Sequence, residues 1–339
     1  MRVISLLLIL SGAALAQTAE GVRLFHEGKY LEAEAALKRT LSVGEDPTAT
    51  AFLALTQAAT GRCQHAEAAL HRSFEQADAA DIRRLAGLGL ARCLTAAKKF
   101  DNSLAVLYRL KALYPNDADV LYETARGHLK AWNGLVYEMF EKTPASFRVN
   151  QLSAEIFEIQ GQYAEAISEY RKAIERNPHA LNLHYRLGRA LLMQSHEPGA
   201  LAEARKQFEA ELALNPNDAV AEYQVAQILL TGQKADEATP HFERAVELDG
   251  NFAEALIALG RIRSQQRNFD EAIRLLERAV ELAPESEGAH YNLMLAYRNA
   301  GRREDAQKQK ERLDELQKAP EGEFTDFLKR IGQAPAETK

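Results

Sequence analysis

One helical pattern recurs along this chain, and its period constrains the fold more than any other feature. The stretch NFDEAIRLLERAVELAPES, residues 268 to 286, sets Ala272, Leu275, Leu276, Ala279, Val280 and Leu282 at helical spacing and stops at Pro284. The same order of large and small residues returns in YAEAISEYRKAIERNP at 163–178, ALAEARKQFEAELALNP at 200–216 and KADEATPHFERAVELDG at 234–250. A fainter copy, FDNSLAVLYRLKALYP, occupies 100–115, and a second helical segment precedes each copy. Helix pairs therefore recur about every 34 residues, the mark of a helix–turn–helix solenoid in which each unit buries its apolar face on the next.

Residues 253–286 carry Leu256, Leu259-Gly260, Ala272, Leu276, Ala279 and Pro284, and residues 147–180 carry Phe157, Ala166, Tyr170, Ala173 and Pro178. Residues 181–218 repeat the pattern with Leu187-Gly188, Ala204, Phe208 and Pro216, around an insertion near His196-Glu197-Pro198-Gly199. Residues 219–252 and 287–320 follow, with Ala226, Ala238, Phe242 and Ala245 in one and Leu293, Tyr297 and Ala306 in the other. This pattern resembles the tetratricopeptide repeat (TPR) family, although Arg263 stands where the family carries a tyrosine. Weaker units precede it at 17–48, 49–83 and 84–117, and a short degenerate one at 118–146, whose interhelix turn is expected at Trp132, Asn133 and Gly134. The resemblance implies an all-α fold, a right-handed superhelical solenoid of about nine helix–turn–helix units.

Small residues at fixed places let the two helices of a unit cross closely. Ala33, Ala68, Ser103, Ala166, Ala204, Ala238, Ala272 and Ala306 are expected there on the second helices, facing Ala91, Ala154, Gly188, Ala226 and Gly260 on the first. Pro115, Pro178, Pro216 and Pro284 block helix continuation. The tetrapeptide PNDA occurs at 115 and at 216, so Asp117 and Asp218 are expected to cap the next helix.

The ends differ from the repeats. Arg2, the apolar run Val3–Leu10 and Ala14-Leu15-Ala16 read as a signal peptide cleaved after Ala16, which implies a periplasmic or secreted protein with no membrane span once cleaved. Phe324, Phe327, Leu328 and Ile331 are spaced as a short amphipathic helix, expected to cap the C-terminal end over 321–339. Between the ends, the degenerate unit divides weak repeats at 17–146 from well-matched ones at 147–320.

The cleaved chain has 41 basic and 48 acidic residues, a net charge of −7, so it has no basic surplus to hold a nucleic acid backbone. Cys63 and Cys93 are the only cysteines; in an exported protein they could be bonded, contributing about 3–4 kcal/mol, or remain two thiols. A zinc site with His65 lacks tight ligand spacing. The chain contains no phosphate loop, His-Glu-x-x-His, Gly-x-Ser-x-Gly or CxxC, and its histidines are scattered, so neither catalysis, a metal nor a cofactor is expected.

The family lines its concave groove with the first helix of each unit. By that register the groove presents Tyr122 and Arg126; Tyr185, Arg186 and Arg189; Tyr223, Gln224 and Gln227; Arg261; and Tyr291, Asn292 and Arg298. Tyrosine and arginine anchor interfaces through apolar area and forked donors, and the glutamines can hold the backbone of an extended peptide. Acidic Glu123, Glu155, Glu158 and Glu254 interrupt this basic stripe, and Asn292 alone occupies the ladder position some family members use. The expected function is a scaffold for a protein or peptide partner. The alternatives are an accessory subunit of an envelope enzyme or of an export or polysaccharide-secretion complex, or a carrier of a glycan or other small ligand.

Overall fold

The computed structural model describes residues 16–317, so all but Ala16 of the expected signal peptide (1–16) and the expected capping segment around Phe324 and Ile331 lie outside the described residues. Seventeen α-helices and no strand are present among the described residues. They fall into two compact units, Met1–Pro144 and Ala145–Lys339. The first holds α1 (16–26), α2 (Tyr30–Val43), α3 (Pro47–Ala59), α4 (Cys63–Gln76), α5 (Ala80–Ala96), α6 (Phe100–Leu113) and α7 (Ala118–Lys142). In the second, α8 (Phe147–Ile159) and α9 (Tyr163–Arg176) make one pair, and α10 (Leu183–Gln194) and α11 (Pro198–Leu214) the next. Then come α12 (Ala219–Thr231) with α13 (Ala235–Leu248), α14 (Ala253–Gln265) with α15 (Phe269–Leu282), and α16 (Glu287–Asn299) with α17 (Arg303–Leu316).

The second helices share one internal address system. Counting the first residue as one, the fourth is Ala33, Ala66, Ser103, Ala166, Ala238 and Ala272, each buried. The eighth is Leu37, Leu70, Leu107, Tyr170, Phe242 and Leu276, each fully buried. Ala68, expected at this small-residue position, is exposed, and Ala66 holds it instead. α4 begins at Cys63, two residues after the left-handed Gly61, just as α2 begins two residues after Gly28, so the fourth place falls on Ala66.

The small residues of the first helices seat large side chains more than they join backbones. A methyl group added at Gly260 would stand 2.6 Å from Leu276, and one at Gly188 would stand 2.9 Å from the Phe208 ring. Leu276 thus packs within its own pair, whereas Ala279 clusters with Leu256 and with Ala289 of the following pair. Close packing of this kind leaves no room for even one methylene.

Turns and caps set the boundaries. α6, α9, α11 and α15 each end two residues before Pro115, Pro178, Pro216 or Pro284, as the exclusion of helix just before proline requires. Asp117 accepts the Val120 N–H at 2.9 Å, and Asp218 accepts those of Val220 and Ala221 at 3.0 Å, so both caps form. α10 has no cap of its own; the fully buried Glu211 of α11 accepts the N–H groups of Asn182 at 2.7 Å and Tyr185 at 3.2 Å. Cys63 and Cys93 are disulfide-bonded, tying α4 to α5 across 30 residues of chain, a constraint of about 3–4 kcal/mol on the unfolded state.

The unit expected at 118–146 is not a helix pair. α7 runs unbroken through Trp132, Asn133 and Gly134 for 25 residues. No residue there adopts the left-handed conformation that opens the other turns, and a methyl group at Gly134 would meet Phe100 of the preceding pair at 2.6 Å. Among the described residues, eight pairs and one single helix thus stand in place of nine pairs.

In seven pairs the turn places a left-handed residue two positions before the second helix: Gly28, Gly61, Gly161 and Gly301, but also Lys98, Gln233 and Arg267 at φ 59° to 62°. A side chain in that region costs about 1 kcal/mol or more, which glycine avoids. Arg267→Gly and Gln233→Gly are each expected to stabilise the second unit by about 0.5–1 kcal/mol, after the greater unfolded-state entropy of glycine is subtracted. Urea unfolding checks this; a lower midpoint in both variants would contradict it.

Candidate interaction groove

First helices of neighbouring pairs lie against one another: α3 with α5 and α5 with α7 in the first unit, α14 with α16 in the second. Each unit therefore presents a face built from first helices. Every groove residue nominated from the sequence lies on one of them, but the residues differ in how far they are free to act.

On α10, Arg186 pairs with Glu155 of α8 at 3.4 Å, and Arg189 pairs with Glu158 at 3.1 Å. Glu158 also accepts the hydroxyl of Tyr170 at 2.6 Å, from a ring with no exposed surface. Burial, and then the Glu158 carboxylate, push the Tyr170 phenol far above its ordinary pKa, so it stays a donor. The two arginines that look in sequence like hooks for an acidic peptide already hold carboxylates of their own chain. Ile159 and Met193, both largely exposed, form the apolar side of the cleft between these ion pairs.

Aromatic residues are anchored by packing. Tyr185 sets its ring 5.5 Å from Phe208, and Tyr223 lies 5.7 Å from Phe242 and 4.9 Å from Phe252. Burial raises both phenol pKa values. Gln224 is half-buried beside Tyr223. Tyr291 is half exposed, while Asn292 donates to the carbonyl of Gly288 at 2.7 Å and so binds its own helix. Arg261 and Arg298 are exposed and form no ion pair among the described residues.

In the first unit Tyr122 is 64% exposed, and Arg126 approaches Glu123 at 3.6 Å. Glu123 is buried and also holds Arg92 of α5 at 2.7 Å. Arg92 and Glu123 are 31 residues apart, as are Glu158 and Arg189, and the same interval separates Glu155 from Arg186. That interval is one repeat less a helical turn. Opposite charges 31 residues apart were the available signal for these pairs.

No group of three or more His, Cys, Asp or Glu side chains among the described residues could hold a metal ion. No helix there is long and apolar enough to cross a membrane.

Sequence profiles of the tetratricopeptide repeat match residues 85–117, 157–219, 229–281 and 263–321, together more than half of the chain. The chain belongs to the tetratricopeptide repeat family. Among solved structures it is similar to YrrB, a TPR protein with an unusual peptide-binding site, at 22% identity and a TM-score of 0.46, over 57% of this chain and 97% of that one. It is also similar to MamA, at 22% identity and a TM-score of 0.43 over 48% of this chain and 93% of that one. For MamA from Desulfovibrio magneticus RS-1 the identity is 21% and the TM-score 0.46, over 52% and 97% of the two chains. No curated protein matches the sequence.

Glu158→Ala leaves the buried Tyr170 hydroxyl without an acceptor and Arg189 without a partner, at a cost of about 1–3 kcal/mol. Tyr170→Phe removes the donor instead and leaves the Arg189–Glu158 pair in place, so it is expected to cost less than half as much. Chemical denaturation of the two variants checks the order; equal losses would argue against a hydrogen-bonded role for Glu158.

Proposed function

We propose that the chain is an exported, non-catalytic scaffold that holds a protein or peptide partner along the first-helix face of its second unit. The observation that carries this reading is the set of unspent groups there. Arg261 and Arg298 are exposed and form no ion pair among the described residues, and other first helices of this unit carry tyrosines whose rings are fixed by packing and glutamines able to bind a peptide backbone. Rigid aromatic rings and forked donors are the side chains that carry binding energy in interfaces. Because Arg186 and Arg189 are neutralised, carboxylates of the partner are met toward α14 and α16, while Ile159 and Met193 offer apolar contact near α8.

Export is supported by two features. The Cys63–Cys93 bond is of a kind that persists in oxidising compartments. Thr18, the second residue after the expected cut, donates to Asp46 at 2.7 Å, and Asp46 caps α3, so the chain directly after that cut is tied into the fold.

The test uses the full chain, expressed with its leader and recovered from the cell envelope as bait. The recovered protein is expected to begin at Gln17, and an intact Met1 would overturn export. Partners retained by this bait are expected to bind Arg261→Glu/Arg298→Glu at least tenfold more weakly, with an unchanged thermal melt. Undiminished binding by that variant would remove the proposed face from consideration.

A further inference from the structure

α7 is packed on one side only. Val120, Thr124 and Gly127 are buried, and a methyl group at Gly127 would touch Leu107 of α6. The opposite side is apolar and open. Tyr122, Ala125, Leu129, Trp132, Val136 and Met139 follow one another at alternating steps of three and four residues. That spacing, 3.5 on average, is the seam along which one helix takes another. Tyr122 is 64% exposed, Leu129 57% and Trp132 45%, with Leu135 on the shoulder at 66%. Seven large apolar side chains of this one helix are exposed. Five of them, Leu121, Tyr122, Leu129, Trp132 and Phe140, lie on this side, and at about 100 Å² each they offer on the order of 500 Å², the size of patch that on a protein surface is often functional.

Charge beside the seam narrows the occupant. Arg92, Lys98, Arg126 and Lys130 gather around Phe100 in a cleft between α5 and α7. Its one carboxylate, Glu123, is already shared by Arg92 and Arg126. The flank therefore carries surplus positive charge. A second copy of α7 would bring the same cations to it, whereas a helix with carboxylates on its flank would neutralise them.

We propose that this face of α7 docks an amphipathic helix of a partner protein, apolar at the same 3.5-residue spacing and acidic along one flank. The surface belongs to the first unit and shares no residue with the second-unit face proposed above, so Arg261→Glu/Arg298→Glu leaves it intact and either reading can fail alone.

Trp132 is the chain's only tryptophan, so covering the seam shifts the intrinsic emission to the blue. The probe is a synthetic three-heptad peptide with Leu at the seam positions and Glu on both flanks, compared with the same peptide carrying Lys. Self-repulsion along the flanks keeps each peptide from pairing with itself. The Glu peptide is expected to give a saturable blue shift with a Kd at least tenfold below that of the Lys peptide. Leu129→Glu/Leu135→Glu, at exposed positions that leave the helical circular dichroism unchanged, is expected to abolish the shift. Arg126→Glu/Lys130→Glu is expected to reverse the preference between peptides. Equal response to the two peptides, or none, overturns the proposal. So does a shift that follows protein concentration alone, with dimers in sedimentation velocity, which would assign the face to a second copy. A shift produced only by phosphatidylglycerol vesicles would assign it to a lipid surface and overturns the proposal as well.

Discussion

In four helix pairs a bulky side chain from the second helix is lowered onto a glycine of the first: Leu37 on Gly21, Leu110 on Gly87, Phe208 on Gly188 and Leu276 on Gly260. Leu276 on Gly260 and Phe208 on Gly188 show it most plainly, because nothing larger than hydrogen fits beneath them. The seating fixes the register of the two helices and thereby which residues of the first helix are left facing outward. Alanines at the fourth place of the second helices keep the neighbouring surfaces close, so each pair can also bury itself on the next. Everything the first-helix faces can offer a partner is set by this packing, several residues away from the groups that would touch it.

Electrostatics on those faces follows from the same regularity. A solenoid brings residues from successive first helices side by side at a nearly constant sequence interval, so a carboxylate in one repeat meets a guanidinium in the next. Among the described residues three such pairs share an interval of 31, Arg92–Glu123, Glu155–Arg186 and Glu158–Arg189, and Arg84–Asp119 joins the same two helices as the first at an interval of 35. Half-exposed pairs of this kind add little net stability. Their larger consequence is to withdraw Arg186 and Arg189 from recognition, while Arg261 and Arg298 form no ion pair among the described residues.

α7 breaks the pattern, and the break is instructive. Its sequence keeps the glycines of a repeat, but Gly127 and Gly134 serve as seats for Leu107 and Phe100 rather than as a turn. The chain therefore continues as one helix to Lys142 and never folds back to cover its own outer side. Aromatic and aliphatic residues that a second helix would have buried remain in water. Terminal elements of a repeat array are where such uncovered faces arise.

Local signals that depend on few neighbours were legible without a structure: helix periodicity, the prolines that end second helices, the Asp117 and Asp218 caps, and the family to which the pattern belongs. These are short-range effects of backbone sterics and hydrogen bonding. The helix between 118 and 142 was not legible, because whether a glycine bends the chain or cushions a phenylalanine is decided by what packs against it. The same holds for Ala66 in place of Ala68, which depends on where α4 begins, and for Glu211, which caps a helix other than its own. The candidate groove residues of the second unit lie on first helices, and Tyr122 and Arg126 lie on the single helix α7. Only the tertiary structure decided which of them were already spent, since pairing across neighbouring helices depends on distances that no single helix contains.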